Sequence, residues 1–352
     1  MAKVPRAGCE KPPMREDGSM KLLILGGTGW LGGHIAREAL ERGHEVTCVA
    51  RGTDVPEGVT LVHADRDVDD ALAPVAADSW DGVIDVAMQP GHVRRAVRDL
   101  AQATQRYIFV SSVSVYPDHS GANPTESAPV FQPLESDTFT DMAEYGAANV
   151  ACENAARERL GSRATIVRPG LIGGPGDPSA RSTYWPLRFA SSSNPEGAVL
   201  VPDHPDFPTS VIDVRDLAEW LVNLAELGSE APTGPFNAVG MSTPLAQHLT
   251  IAREVAGFAG SIVVKKNEWL RERGVSQWAG TKSLPLWIAD DSMRGFGAWS
   301  NARALEAGLA LRPLQDTLRD GLEWALAHSS EPGVPSGLTQ EQEAELLAEA
   351  RL

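Results

Sequence analysis

The chain has 352 residues, 42% hydrophobic and 22% charged, a composition that supplies one large core with room for a smaller lobe. Its 47 acidic residues against 31 basic ones give a net charge of −16, a field that repels phosphate backbones and argues against a nucleic-acid partner. No apolar run approaches the ~20 residues that span a bilayer, so no membrane partner is expected.

Residues 1–20 lack the apolar core of a signal peptide and read as a disordered tail or an upstream start. The three cysteines, at 9, 48 and 152, show no Cys-x-x-Cys spacing, which fits a reducing cytoplasm and argues against a disulfide framework or a cysteine metal site. Of the eight histidines, none forms a His-x-x-x-His or Glu-paired pattern, so no metal is expected.

Residues 21–33 (KLLILGGTGWLGG) run from four apolar positions straight into a glycine-rich turn, and a helical pattern follows. Glycines 26, 29 and 32 let the backbone turn sharply and approach a pyrophosphate at a positively polarised helix N-terminus. Gly26, Thr28, Gly29, Trp30, Leu31 and Gly32 are therefore candidate dinucleotide contacts. Trp30, bulky for this position, is expected to pack under the first helix.

Further strands are expected at 45–50, 59–64, 82–87, 106–112 and 163–168, with helices at 30–42, 92–104 and 141–160. This alternation implies an α/β fold, a doubly wound parallel sheet with helices on both faces and a cofactor along the carboxyl ends of its strands. The second strand ends in Ala50 and Arg51, where an NAD-preferring site needs a carboxylate. A guanidinium there can grip a 2′-phosphate, so NADP(H) is favoured and NAD(H) remains the alternative.

After Arg168 the texture changes. Residues 169–210 are rich in Pro, Gly and Ser and read as substrate-side loops, in which Arg181 and Arg188 are candidates for a substrate phosphate. Residues 213–226 have helical periodicity with acidic residues in the first turn. Thr339 and Gln342 are spaced as a capping box ahead of an acidic helix. The expected organisation is a tail over 1–20, a dinucleotide-binding core over 21–170 rejoined by segments near 205–240, a substrate-binding lobe over 171–330, and an acidic helix or tail over 331–352.

These residues together resemble the extended short-chain dehydrogenase/reductases, the NAD-dependent epimerase/dehydratase group. The resemblance runs from about residue 21 to 326. It rests on the glycine loop, Asp65, the run from Ser111 through Ser112 to Tyr116, and Tyr145 with Asn149 and Glu153 behind it. Arg168-Pro169-Gly170 ahead of Gly174, residues 211–216, and Phe236-Asn237 complete it. It implies a Rossmann-type fold with a smaller C-terminal substrate-binding lobe and a homodimer formed through helices 92–104 and 141–160. It also implies NAD(P)-dependent oxidoreduction, epimerisation or dehydration of a small carbonyl, hydroxyl or sugar-derived compound. Asp65 would meet the adenine amino group, and Arg168 belongs to the cofactor side.

By the same resemblance Ser112 orients the substrate oxygen and Tyr145 moves its proton. The family's lysine, which draws the phenol toward working pH, is absent here, and Asn149 stands in its place. Asn149 can bond a ribose or a water but brings no charge. His119, Asp118 and Glu144 are the nearby alternatives, with His119 best suited by its intrinsic pKa. The second reading is a cofactor-binding protein with altered or lost redox catalysis, acting as sensor, scaffold or non-redox catalyst.

Overall fold

The computed structural model describes residues 18–328 and 336–350. β1 (Lys21–Leu25) lies at the centre of the sheet because its apolar run satisfies both faces. Leu22 and Ile24 enter one core, and Leu23 and Leu25 enter the other.

α1 (Trp30–Glu41), β2 (Glu45–Ala50), β3 (Thr60–His63), the single-turn α2 (Ala73–Ala76), β4 (Trp80–Asp85), α3 (Pro90–Leu100) and β5 (Thr104–Val110) follow. α4 (Tyr145–Leu160), β6 (Ala164–Pro169), α5 (Tyr184–Ala190) and α6 (Val214–Glu226) come next. A seven-stranded sheet runs in the order Gly234–Ala238, β6, β5, β4, β1, β2, β3, and every pairing is parallel. α1 and α6 pack on one face and α3 and α4 on the other. This is the α/β doubly wound, Rossmann-type sheet, and its strand order reverses between β1 and β4, which opens a crevice at the carboxyl ends.

The smaller lobe carries its own parallel pairs, Leu171–Gly173 with Val211–Asp213 and Ala198–Pro202 with Ser261–Lys265. Its core gathers Trp185, Phe189, Leu200, Leu249, Trp287 and Leu347. Asp213 N-caps α6 by accepting from the Arg215 amide. The capping box is formed: Thr339 N donates to Gln342 Oε1 at 2.9 Å and Gln342 N to Thr339 Oγ1 at 3.2 Å, opening helix Gln340–Glu349. Among the described residues no helix is long and apolar enough to cross a membrane.

Several boundaries differ from expectation. β4 begins at Trp80 rather than 82, because Trp80 seals its ring in the core while Asp81 accepts from Lys21 N and Gln105 Nε2. α3 starts two residues early, since Pro90 suits a first helical turn, and it ends before Thr104 opens β5. Residues 142–144 form a separate 3₁₀ turn, so Tyr145 heads α4. The tail expected over 1–20 lies outside the described residues up to 17, while Met20 N donates to His44 Nδ1. Residues 331–335 and 351–352 of the expected acidic tail also lie outside the described residues.

Candidate active site

β1 ends in a turn that only glycine permits. Gly26 sits at φ +104°, and a Cβ on Gly32 would stand 2.2 Å from the Gly26 carbonyl oxygen. Gly29 is the N-cap of α1 and carries no side chain to satisfy the first-turn amides, so those donors face the crevice. The residues therefore fit a dinucleotide pyrophosphate: the cradle is one that a Cβ would fill, at a helix N-terminus with no side-chain cap.

Thr28 is pressed against Gly52, where a Cβ would lie 2.8 Å from Thr28 Oγ1, and this brings the loop to the end of β2. Arg51 is exposed there and forms no ion pair among the described residues. Asp65 is exposed, and its Oδ1 accepts from Asp67 N at 3.0 Å, which fixes the turn. Trp30 heads α1 with its ring edge-on to His34 of the same helix at 6.0 Å. Its indole donates to the Pro175 carbonyl at 2.9 Å and ties the glycine loop to the loop that opens the second lobe.

Trp30, Leu31 and Gly32 form one end of a cavity of about 720 Å³ that continues past Val86, Ser112 and Tyr145. Its far wall is aromatic, built from Phe207, Trp278, Phe296 and Trp299, and Arg181 also lines it. On the other side of Trp30 a second hollow of about 500 Å³ is lined by Thr28, His34, Arg37, Asp54 and Trp324.

Ser112 caps a 3₁₀ turn by accepting from Ser114 N. Gly146 lets α4 come close: a Cβ there would fall 2.2 Å from the Ser114 carbonyl. That approach brings Tyr145 to Ser112. Burial pushes the Tyr145 phenol above its ordinary value, and hydrogen bonds from Asn149 and Ser112 only partly oppose the shift. Asn149 is buried, with Nδ2 donating to the Tyr145 carbonyl at 2.9 Å, so its amide serves the helix backbone.

The other substitutes for the lysine stand apart. His119 is edge-on to Phe296 and Trp299, burial lowers its pKa, and it is not part of the cavity wall. Asp118 is exposed and accepts from Ser120 N, and Glu144 is exposed on the preceding turn. Arg188 points into the lobe core, donating to the Leu338 carbonyl and pairing with Glu343, so it is not a phosphate contact.

Arg168 also takes a different part from the one expected. Its three nitrogens are engaged, with Nε and one terminal nitrogen on the two Glu153 oxygens at 2.8 and 2.6 Å and the other on Tyr116 Oη at 2.7 Å. Its guanidinium is held by protein groups, and it does not line the cavity described above. Glu153 also accepts from Ser111 Oγ at 2.7 Å and pairs with Arg157. A second buried group went unread in the sequence: Arg66 forks onto Asp85, the last residue of β4, at 2.7 and 2.9 Å. Burial alone would raise the Asp85 carboxyl, but Arg66 and the Tyr107 hydroxyl hold it below its ordinary value.

With this geometry in place, residues 22–238 match the model of the NAD dependent epimerase/dehydratase family. A curated relative, the 2'-dehydrokanamycin reductase of Streptomyces kanamyceticus, is 29% identical over 164 residues, which cover 45% of this chain and 44% of the reductase. The chain thus spans less than half the length of that relative. The UDP-N-acetylglucosamine 4-epimerase of Bacillus cereus aligns over 90% of this chain and 99% of its own, with a TM-score of 0.61 at 15% identity. The Bordetella bronchiseptica enzyme WbmF, solved in complex with NAD+, aligns over 89% of this chain and 94% of its own, with a TM-score of 0.61 at 15% identity. At such identities the two structures speak for the fold.

Proposed function

We propose, on the premise that the chain belongs to the NAD dependent epimerase/dehydratase family, that it is an NADP(H)-dependent oxidoreductase or epimerase acting on a small carbonyl or hydroxyl compound, sugar derivatives included. The observation that carries this reading is the meeting of Ser112 and Tyr145 in the wall of a cavity that begins at the glycine loop. The 2'-dehydrokanamycin reductase relative, by its name, favours the reductive direction.

Gly26, Thr28, Gly29, Trp30, Leu31 and Gly32 hold the dinucleotide, with the open amides of α1 on its pyrophosphate. Arg51 grips the 2′-phosphate, and no carboxylate competes at the end of β2. Asp65, exposed just past the end of β3, accepts from the adenine amino group. A bound nicotinamide supplies a hydride donor or acceptor.

Ser112 holds the substrate oxygen, and Tyr145 gives it a proton. A phenol held above its ordinary pKa keeps its proton at neutral pH, which suits donation to a carbonyl oxygen as negative charge develops on it. The same phenol is a poor base for alcohol oxidation, so Asn149 tilts the site toward reduction. The buried thiols of Cys48 and Cys152 suit a reducing compartment, the cytoplasm. A homodimer through α3 and α4 accompanies this reading, and light scattering tests it.

One observation favours the alternative of a cofactor-binding protein without turnover: Asn149 itself. The deciding experiment is NADPH oxidation against a panel of carbonyl compounds, run on the native chain and on Asn149→Lys. Turnover by the native chain, reduced in the variant, supports the enzyme reading. A native chain that binds NADPH but reduces nothing, and turns over only as Asn149→Lys, overturns it.

A further inference from the structure

The cavity that runs from the glycine loop past Ser112 and Tyr145 has few hydrogen-bond donors left for a ligand. Ser111 Oγ donates to Glu153 Oε1 at 2.7 Å, and Ser179 Oγ to Asp177 Oδ1 at 2.7 Å. Thr209 Oγ1 donates to the Thr243 carbonyl at 2.9 Å, and Ser210 Oγ to the Gly240 carbonyl at 2.9 Å. A hydroxyl has one proton, so these four wall residues are engaged by the protein. The other hydroxyls of the lining meet at one place: Ser112 Oγ lies 3.1 Å from Ser114 Oγ, with Tyr145 beside Ser112. Among the described residues no lysine, histidine or side-chain amide lines the cavity.

Its charges cancel. Among the described residues Arg181 and Asp177 are the charged side chains of the lining, and one hydroxyl links them. Arg181 Nε donates to Ser179 Oγ at 3.1 Å, and that hydroxyl donates on to Asp177. Asp177 also accepts from Ser179 N, Ser182 N and Ser182 Oγ, knotting the turn that presents Arg181. The guanidinium lies 5.2 Å over the ring of Trp278. What the far wall offers is ring surface. Trp278 meets Phe296 edge-on at 4.7 Å, and Trp299 stacks on Tyr116 at 3.9 Å. Close backbone contact fixes these rings: a Cβ on Gly297 would fall 2.0 Å from the Pro208 carbonyl oxygen, next to Phe207.

We propose that this cavity selects an uncharged ketone carried on an aromatic or fused-ring body. Its one oxygen sits at Ser112 and Tyr145, and its rings lie against Phe207, Trp278, Phe296 and Trp299. The inference rests on the reading of Ser112 and Tyr145 as the reacting corner, and it names the substrate class of that corner. A flat apolar body gains from rigid aromatic surface that is already in place. A nucleotide sugar is disfavoured on two counts. Its diphosphate would give up water for a single guanidinium whose charge Asp177 already balances, and Arg188 is turned away into the lobe core. Its sugar hydroxyls would be buried beside wall hydroxyls whose protons are engaged, losing hydrogen bonds to water without replacement.

The test reads binding and needs no turnover. Saturation-transfer NMR titrates the full chain, with NADP+ present to fill the dinucleotide site, against α-tetralone, an uncharged two-ring ketone, and against UDP-glucose and glucose. The expected result is binding of α-tetralone that neither UDP-glucose nor glucose displaces. Phe296→Leu keeps an apolar side chain but removes the ring, and it should weaken α-tetralone binding at least about threefold. Trp278→Leu serves if Phe296→Leu does not fold, as judged by its melting curve. The proposal is overturned if α-tetralone does not bind, if the variant binds it as well as the native chain, or if UDP-glucose or glucose displaces it. Binding of α-tetralone by a chain that reduces no carbonyl leaves this inference standing and counts against the enzymatic reading. Reduction of other carbonyls by a chain that ignores α-tetralone does the reverse.

Discussion

Glu153→Gln is the most informative single perturbation of this fold. Glu153 and Arg168 are buried, at 0% and 2% exposure, and the carboxylate accepts two bonds from Arg168 and one from Ser111. The substitution keeps the volume but removes the charge, and it turns one acceptor into a donor facing guanidinium nitrogens. Breaking a buried pair by removing one partner costs about 3–5 kcal/mol, because the remaining charge stays buried. At about 2.1 cal/mol/K per residue, a chain of 352 residues melts with an entropy near 0.7 kcal/mol/K, so the expected loss is about 4–7 °C. Calorimetry measures that shift directly. Replacing the pair together, as Glu153→Leu with Arg168→Met, should restore at least half of the loss, because the desolvated charges leave together. A single-variant loss below about 1 kcal/mol, or a double variant as unstable as the sum of its parts, would refute the reasoning.

Three further expectations follow from separate parts of the structure. His248 is buried, with Nε2 unpartnered, and burial lowers its pKa to about 4. The unfolded chain therefore takes up a proton below about pH 6.5 while the folded one does not, so up to ~3 kcal/mol drains away between pH 6.5 and 4. His248→Phe should flatten the fall of the melting temperature over that range, and an equal fall in both proteins sinks the idea. Gly32→Ala should weaken dinucleotide binding at least about tenfold and cost about 1–3 kcal/mol, since its Cβ would meet the Gly26 carbonyl; normal NADPH titration and melting would contradict this. Arg51→Asp should lower the ratio of NADP(H) to NAD(H) affinity by at least about tenfold, read by cofactor fluorescence, and an unchanged ratio removes Arg51 from the 2′-phosphate site.

What could be read from the chain was what local chemistry decides. The glycine loop, β1 and the Tyr145 helix are short segments whose own residues impose their shape, and the Thr339 cap needs only a spacing of three. β4 starts two residues before the expected position because Asp81 interrupts the apolar run, and only its partners Lys21 and Gln105 across the sheet show it as strand. The same holds for Arg168: a motif gives its position, while Glu153 and Tyr116 decide where its guanidinium goes. The aromatic wall was invisible because Phe207, Trp278, Phe296 and Trp299 follow no period and meet only in three dimensions.

The hydrogen bond from Trp30 to Pro175 spans 145 positions of sequence with a single indole. Trp30 follows the glycine that caps α1, and Pro175 stands two residues before the aspartate that knots the Arg181 turn. Whatever seats itself on the first loop is thus in touch with the placement of the second. Linkage makes that traffic reciprocal: any factor by which a dinucleotide tightens the hold on substrate is the factor by which substrate tightens the hold on the dinucleotide.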